Sequence, residues 1–251
     1  MIVDTHAHLF DERLKDDLDS VFRSMERRGV KKVVVPTISL EEMEDILALR
    51  TYEEVYVGIG IHPSEVHELQ RVNEIEKYLQ EEKVVAVGEI GLDYYWTKDN
   101  KKEQQELFFK QLELAKKHNL PVLIHDREAH EDVRRLLDEA GSYETGVIFH
   151  AYSGSKEMAK EDVKKGAYIS LAGPVTFKNA RVPKEVAESV PLDHLLVETD
   201  SPYMTPHPFR GKRNDPSLTF YVVEEIARLR GITPEEVAKA TWDNAHRILG
   251  L

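Results

Sequence analysis

Short apolar runs alternate along the whole chain with longer, charged segments of helical periodicity. The runs are mostly β-branched and nearly continuous in hydrophobicity, as is typical of parallel strands covered on both faces. The pattern predicts eight strands, at residues 2–6, 32–37, 55–61, 84–89, 121–125, 146–150, 167–171 and 195–200. Eight βα units in 251 residues have the size and order of an α/β fold of the (β/α)8 TIM-barrel class, in a single domain over residues 1–251.

A doubly wound parallel sheet is the alternative fold. The Gly-x-Gly-x-x-Gly turn of its dinucleotide-binding branch is missing from this chain, so the barrel is the preferred prediction.

Helix start signals lie between the strands. Residues 103–118 carry apolar positions at helical spacing. Asp215-Pro216 and Thr233-Pro234 each place a capping residue before a proline, and the second pair is expected to begin a last helix that ends near residue 248. Residues 39–42, Ser-Leu-Glu-Glu, predict a capping box for a helix that begins near Met43.

The composition limits the class of protein. Hydrophobic residues make up 41% and charged residues 32% of the chain, which is typical of a soluble globular protein. No apolar run has the length of a membrane span, and no basic-then-apolar leader precedes the first strand. The chain has no cysteine, which excludes disulfides and thiolate ligands. We therefore expect a cytoplasmic protein.

The formal net charge is −12. A protein that binds long duplex nucleic acid through many phosphates usually carries a basic face, and this total gives no sign of one. The charge is still compatible with a nucleic-acid substrate held locally at metal ions.

Histidine and acidic residues follow the ends of six predicted strands. The first strand is followed by His-x-His, whose two imidazoles point to the same side because side chains alternate along a strand. Active sites of (β/α)8 barrels lie at the carboxyl ends of the strands, so these side chains are expected to converge. The set is His6, His8, His62, Glu89, His125, His150 and Asp200.

These ligand types predict a centre of two divalent ions bridged by a carboxylate, with the ions roughly 3.5–4 Å apart. One ion is assigned to His6, His8, Glu89 and Asp200. The other is assigned to Glu89, as the bridge, with His125 and His150. A hydroxide held between the ions is the expected nucleophile. Asp200 is expected to take up its proton and pass it to the leaving group.

Other polar residues are candidates for substrate binding. His62 is expected to bind a substrate phosphate or a water molecule, with an ordinary hydrogen-bonded histidine as the equal alternative. Arg210, Lys212 and Arg213 form a local basic cluster, for which phosphate contact is the preferred interpretation.

Neighbours of the predicted ligands have less specific assignments. Asp4 and Glu198 lie two residues before His6 and Asp200, and are expected to orient the ligands or to pair with a buried base. Asp93 is assigned either to the groove or to the surface. Four aromatic residues could stack on unpaired bases or simply pack: Tyr94, Tyr95, Trp96 and Tyr203.

The motifs together resemble those of the TatD-type metal-dependent deoxyribonucleases, a branch of the amidohydrolase superfamily. The resemblance covers essentially the whole chain. It rests on residues 4–8, 58–63, 88–93, 124–125, 150–154 and 198–203, with 210–214 also fitting. Other branches often bridge their metals with a carbamylated lysine after strand four. Glu89 at that position favours the TatD branch over the dihydroorotase-like and phosphotriesterase-like ones.

The resemblance implies cleavage of DNA phosphodiester bonds, as a deoxyribonuclease or exonuclease acting from an end or on single strands. It implies two divalent ions, with magnesium, manganese and zinc all open. All six ligand positions of the family are present: His6, His8, Glu89, His125, His150 and Asp200. We expect a monomer that contacts no membrane and has no obligate protein partner.

Two other functions stay open. A deacylase or amidohydrolase acting on another ester or amide, for example mischarged aminoacyl-tRNA, would use the same ions; the basic cluster favours a substrate that carries phosphate. A barrel that keeps its metals only for stability, and serves as a binding partner, is disfavoured by the intact Glu89 and Asp200.

Overall fold

The computed structural model describes all 251 residues. The eight predicted strands are all present, with shifted ends, and they follow one another in the sheet in chain order, β1 to β8. They are β1 Ile2–Asp4, β2 Val30–Pro36, β3 Val55–Gly58, β4 Val84–Asp93, β5 Val122–Arg127, β6 Val147–Phe149, β7 Tyr168–Leu171 and β8 Leu195–Val197. This order is that of a (β/α)8 barrel, so the predicted fold class is confirmed.

Six of the eight α-helices lie between successive strands, and the last two follow β8. The helices are α1 Leu18–Arg27, α2 Met43–Ala48, α3 Lys101–His118, α4 His130–Ala140, α5 Lys156–Lys164, α6 Arg181–Ser189, α7 Thr219–Arg230 and α8 Pro234–Leu249. Between β3 and β4 the connection is a 3-10 helical segment, Pro63–Tyr78. None of the helices is both long enough and apolar enough to span a membrane.

The predicted helix caps have mixed outcomes. Thr233 forms a complete capping box at the start of α8, and Asp215 accepts a hydrogen bond from the Ser217 N–H. The capping box predicted before Met43 is wrong, because α2 has Glu42 at its N-cap and no side-chain cap. A distant carboxylate binds that segment instead: Glu68 Oε2 accepts a hydrogen bond from the Leu40 N–H at 2.9 Å.

Contacts divide the chain into two compact units, residues 1–35 with 151–251 and residues 36–150. The first unit contains β7, β8, β1 and all but the last residue of β2. In it β7 pairs with β8 and β1 with β2, and the Thr5 N–H donates to the Val197 carbonyl at 3.1 Å. Asn244 of α8 donates to the carbonyls of Leu192 and Leu195, which fixes the start of β8.

The second unit contains β3 to β6, paired in parallel in that order. Every residue of β4 is buried, so this strand lies at the centre of the unit. Helix α3 packs against β4 and against the 3-10 segment. The strand that carries Glu89 is therefore held on both sides by neighbouring strands and covered by a long helix.

Candidate metal centre

The first group of predicted ligands follows β1 and β8 in the first unit. The strand ladder continues past β1, since the Ala7 N–H donates to the Val34 carbonyl and the His8 N–H to the Ser201 carbonyl. The predicted alternation therefore holds at His6 and His8, whose Nε2 atoms lie 3.3 Å apart.

Asp200 completes this group. Its Oδ1 lies 3.3 Å from His8 Nε2 and 3.8 Å from His6 Nε2, and all three residues are buried. The backbone of Asp200 has φ = 53°, a left-handed conformation that costs a residue other than glycine about 1 to 3 kcal/mol. Its N–H donates to the His6 carbonyl at 2.9 Å. The carboxylate is thus oriented by a backbone that is fixed to the segment following β1.

Two buried carboxylates brace the backbone beside these ligands. Asp4 accepts hydrogen bonds from the His6 N–H, the Thr199 N–H and the Thr199 hydroxyl. Burial raises the pKa of Asp4 to about 8, and the bonds from Thr199 and His6 offset it only in part. Glu198 Oε1 accepts from the Ala151 N–H at 2.8 Å. Both side chains thus hold the main chain beside the ligands, and their role in orienting the ligands stays a prediction.

The second group of ligands lies in the second unit: Glu89 is on β4, His125 is on β5 and His150 directly follows β6. Both β4 and β5 extend past the ends predicted from the sequence, to Asp93 and Arg127. Glu89 Oε1 is 2.8 Å from His125 Nδ1 and 2.9 Å from His150 Nε2, and those two nitrogens are 3.3 Å apart. Glu89 is buried, and its carboxylate is the point on which both imidazoles converge. The structure therefore brings together the three residues assigned to the second ion.

Asp93 has a role that the sequence left undecided. Its Oδ2 lies 3.0 Å from His125 Nε2, the ring nitrogen that faces away from Glu89. Its Oδ1 accepts from the N–H groups of Tyr95 and Trp96. Burial opposes the charge on Asp93, but the interaction with His125 and the hydrogen bonds from the Trp96 and Tyr95 N–H groups together outweigh it, and the pKa of Asp93 lies below its ordinary value.

The same pair raises the pKa of His125. Burial alone would lower it, but the bonds to Asp93 and Glu89 prevail. A carboxylate on the outer nitrogen of a ligand histidine fixes the ring and strengthens it as a ligand.

Asp93→Asn is expected to weaken divalent-metal affinity by about 10- to 100-fold, because the amide supplies no charge to the His125 ring. Metal titration of stripped protein, followed by calorimetry, measures this. Asp132→Asn is the matched control: Asp132 accepts from the Tyr94 hydroxyl but has no hydrogen bond to a predicted ligand. Equal affinities for the two variants would contradict the role of Asp93.

Two glutamines of α3 fix the strand ends that carry polar residues. Gln104 accepts from the Asp93 N–H and donates to its carbonyl. Gln111 does the same with the N–H and carbonyl of Ile61. Both glutamines are buried. The two glutamines are seven residues apart, which is two helical turns and places them on the same face of α3. This spacing is visible in the sequence, but their partners are not.

A close backbone approach also shapes this end of the sheet. Gly91 has φ = 146°, and a Cβ at this position would lie 1.9 Å from the His125 carbonyl oxygen. Only glycine allows β4 to pass this close to β5 here.

His62 lies beside the second group. Its Nε2 is 3.6 Å from Glu89 Oε1, and its ring meets that of His125 edge to face, with centroids 4.5 Å apart. Nδ1 accepts the Ser64 N–H at 3.1 Å, which requires a lone pair on Nδ1. The proton of the neutral ring is then on Nε2, so His62 presents a hydrogen-bond donor beside Glu89.

The three residues of the predicted basic cluster make different contacts. All three are exposed. Arg210 stacks its guanidinium over Phe177 at 4.0 Å, and Lys212 lies 5.8 Å from the ring of Phe209. Arg213 is bound to Asp17 Oδ2 at 2.8 Å. Phosphate contact by Arg210, Lys212 and Arg213 stays a prediction.

The four aromatic candidates differ in their exposure to solvent. Tyr94 is buried, whereas Tyr95, Trp96 and Tyr203 are 49%, 72% and 47% exposed. Tyr94 is therefore a packing residue. Tyr203 lies beside the first group, with its ring centroid 6.1 Å from that of His8.

Each ligand group fits a divalent cation. In each, two imidazole nitrogens and a carboxylate oxygen lie within 4 Å of one another. Imidazole and carboxylate are preferred ligands of zinc, manganese and iron. A bound cation accepts the lone pairs of several ligand atoms that lie this close together. Without a cation, the same atoms must share protons to avoid repulsion between their lone pairs.

The (β/α)8 barrel and its two groups of histidine and carboxylate ligands are those of a metal-dependent hydrolase. A family model described as TatD related DNase matches residues 3–250. The chain belongs to the TatD family.

Several curated relatives match over nearly their whole length. An uncharacterized metal-dependent hydrolase, YabD of Bacillus subtilis, is 46% identical, with 99% of this chain and 98% of YabD covered. Its counterpart YcfH of Escherichia coli K12 is 38% identical, with coverage of 98% and 95%.

Solved structures support the same family. The TatD homologue YjjV of Escherichia coli K12 superposes with a TM-score of 0.92 at 31% identity, covering 100% of this chain and 98% of YjjV. A TatD-family hydrolase of Entamoeba histolytica has a TM-score of 0.88 at 21% identity, with coverage of 99% and 97%. The second likeness concerns the fold alone.

Proposed function

We propose that this protein is a divalent-metal-dependent nuclease that hydrolyses DNA phosphodiester bonds, from an end or on single strands. The observation that carries the proposal is the pair of ligand groups, each with two imidazoles and a carboxylate in or just after the carboxyl-terminal halves of strands. In a (β/α)8 barrel those ends share one face, so we propose that both groups serve one centre of two ions. Magnesium, manganese and zinc are the candidates.

Such ions, when bound, lower the pKa of water toward neutrality and neutralise charge on a phosphate. The carboxylate of Asp200 is the proposed proton acceptor for the attacking water and the proton donor for the leaving oxygen. Its buried position and fixed backbone hold it in one orientation. Glu89, with two imidazoles on one oxygen, is the proposed bridge.

The residues around the ligands favour a substrate that carries phosphate. His62 presents a donor next to Glu89, and Arg210 and Lys212 are exposed cations on the loop that follows Asp200. The chain has a net charge of −12, and the cations on this loop are proposed to contact phosphate oxygens. A neutral amide would gain little from them.

Removal and return of metal tests the proposal. Stripped protein is expected to leave a labelled single-stranded oligodeoxynucleotide intact, and cleavage is expected to return with magnesium, manganese or zinc. Product length against time separates release from an end from internal cleavage. Protein that holds metal but cleaves no DNA, while hydrolysing an aminoacyl ester or a cyclic amide, would replace the nuclease by a deacylase or amidohydrolase.

We also propose that the protein acts as a monomer in the cytoplasm, without an obligate protein partner and without membrane contact. Light scattering during size-exclusion chromatography measures the mass directly, against 28.9 kDa for one chain. A stable dimer would contradict the proposed monomer.

A further inference from the structure

A basic pocket lies on the first unit, between the end of α1 and the loop that follows β8. Its volume is about 300 Å³, and its lining includes four cations but only one carboxylate, that of Asp215. The cations are Arg27, Arg28, Lys212 and Arg213. Asp215 uses Oδ1 to cap the Ser217 N–H. This local excess of positive charge contrasts with the net charge of −12.

Three of these cations keep their charge available. Arg213 pairs with Asp17, whereas Arg27, Arg28 and Lys212 form no ion pair. Many other basic residues of the chain are paired with carboxylates. Unpaired cations that converge on one pocket repel one another, so an anion placed among them would be favoured.

Aromatic rings hold part of this cluster without neutralising it. The guanidinium of Arg28 lies 4.8 Å from the centroid of Tyr221 and 5.9 Å from that of Phe209. These two rings meet each other with centroids 5.1 Å apart. A guanidinium stacked on a ring still presents its N–H edge for bidentate contact with a phosphate.

A line of contacts joins this pocket to the first ligand group. The ring of Tyr203 lies beside His8, and the guanidinium of Arg13 covers that ring at 4.4 Å. Arg213 then donates to the Arg13 carbonyl at 3.0 Å.

From Asp17, just before α1, to Arg27 the helix spans roughly 15 Å. That length corresponds to roughly four nucleotides of a stacked strand.

We infer that the pocket lined by Arg27, Arg28 and Lys212 binds backbone phosphates of a single nucleic-acid strand, several nucleotides away from the phosphate at the ligand groups. The inference rests on the proposed nuclease function and extends it, because it gives the strand a path over Tyr203 and along α1. It adds Arg27 and Arg28, which no motif at the strand ends indicated.

The test measures binding without catalysis. Metal-free protein in chelator is titrated with labelled oligodeoxythymidylates of about two and about eight nucleotides, at salt concentrations from about 50 to about 200 mM. The double variant Arg27→Gln/Arg28→Gln is expected to bind the longer strand at least about tenfold more weakly. Its salt slope is expected to fall by about 1.4, for two lost single-strand contacts.

The control removes two charges elsewhere. Lys102→Gln/Lys160→Gln changes one exposed cation on α3 and one on α5, and neither lines the pocket. This variant is expected to keep the affinity of the unchanged protein within about twofold. Its salt slope is expected to change less than that of the Arg27/Arg28 variant. Equal losses in both double variants would overturn the pocket, since they would show only a general charge effect.

Further outcomes distinguish the pocket from the proposed function. A protein that cleaves no DNA but loses strand binding in the Arg27/Arg28 variant would refute the nuclease and keep the pocket. Cleavage with unaltered binding in that variant, or no strand binding at all, would overturn the pocket. If the short strand binds as tightly as the long one and inorganic phosphate displaces both, the pocket takes a small anion and the strand path is wrong.

Discussion

Asp200→Asn is expected to lower kcat on single-stranded DNA by about 10²- to 10⁴-fold, the usual range for loss of a general acid–base group. The amide keeps the size of the side chain and an oxygen toward His8, 3.3 Å from Oδ1 in the structure. It cannot accept the proton of water at neutral pH. Single-turnover cleavage at saturating metal measures the change, because it separates the chemical step from product release.

The matched control for this variant is Asp19→Asn, an exposed residue of α1 outside both ligand groups. It should cleave at the rate of the unchanged protein. An Asp200→Asn protein that still binds metal and cleaves within about threefold of that rate would exclude Asp200 as the proton acceptor and donor.

Glu89→Gln is expected to have an effect of similar or larger size, through metal binding and charge stabilisation together. Glu89 Oε1 is the point on which His125 and His150 converge, at 2.8 and 2.9 Å. Without its charge, we expect one of the two proposed ions to be lost, and cleavage at fixed metal to fall by more than about a hundredfold. Metal analysis of the dialysed variant measures the first effect, and the oligonucleotide assay the second.

Glu68→Gln provides the comparison for Glu89→Gln. Glu68 is another buried carboxylate of the same unit, but its contact is structural, since it accepts the Leu40 N–H. Its loss should reduce thermal stability and leave metal content unchanged. If the Glu89 variant kept its full metal content and only melted earlier, Glu89 would be a structural residue and the bridge assignment would be wrong.

Much of the site follows from local periodicity. Side chains alternate along extended backbone, so His-x-His after an apolar run predicted two imidazoles on one side, and the Nε2 atoms of His6 and His8 lie 3.3 Å apart. Parallel strands share their carboxyl end. For that reason, reading the first polar residue after each run also identified Glu89, His125, His150 and Asp200.

Local signals were less reliable for segments whose partners are distant in the chain. Residues 39–42 matched a capping box, yet α2 begins without a side-chain cap and Glu68 binds the Leu40 N–H. The Leu40 N–H donates to a carboxylate 28 residues away, a partner that the local sequence pattern does not indicate.

The apolar periodicity of the chain was enough to establish the strand number, the barrel class and the residues at the strand ends, because each depends on neighbours a few positions away. Contacts between separate elements defined the rest. The bond from Asp93 to His125, the two glutamine clamps of α3, and the convergence of Arg27 and Arg28 with Lys212 each join side chains far apart in sequence. Their geometry depends on how helices and strands pack, which residue spacing alone does not encode.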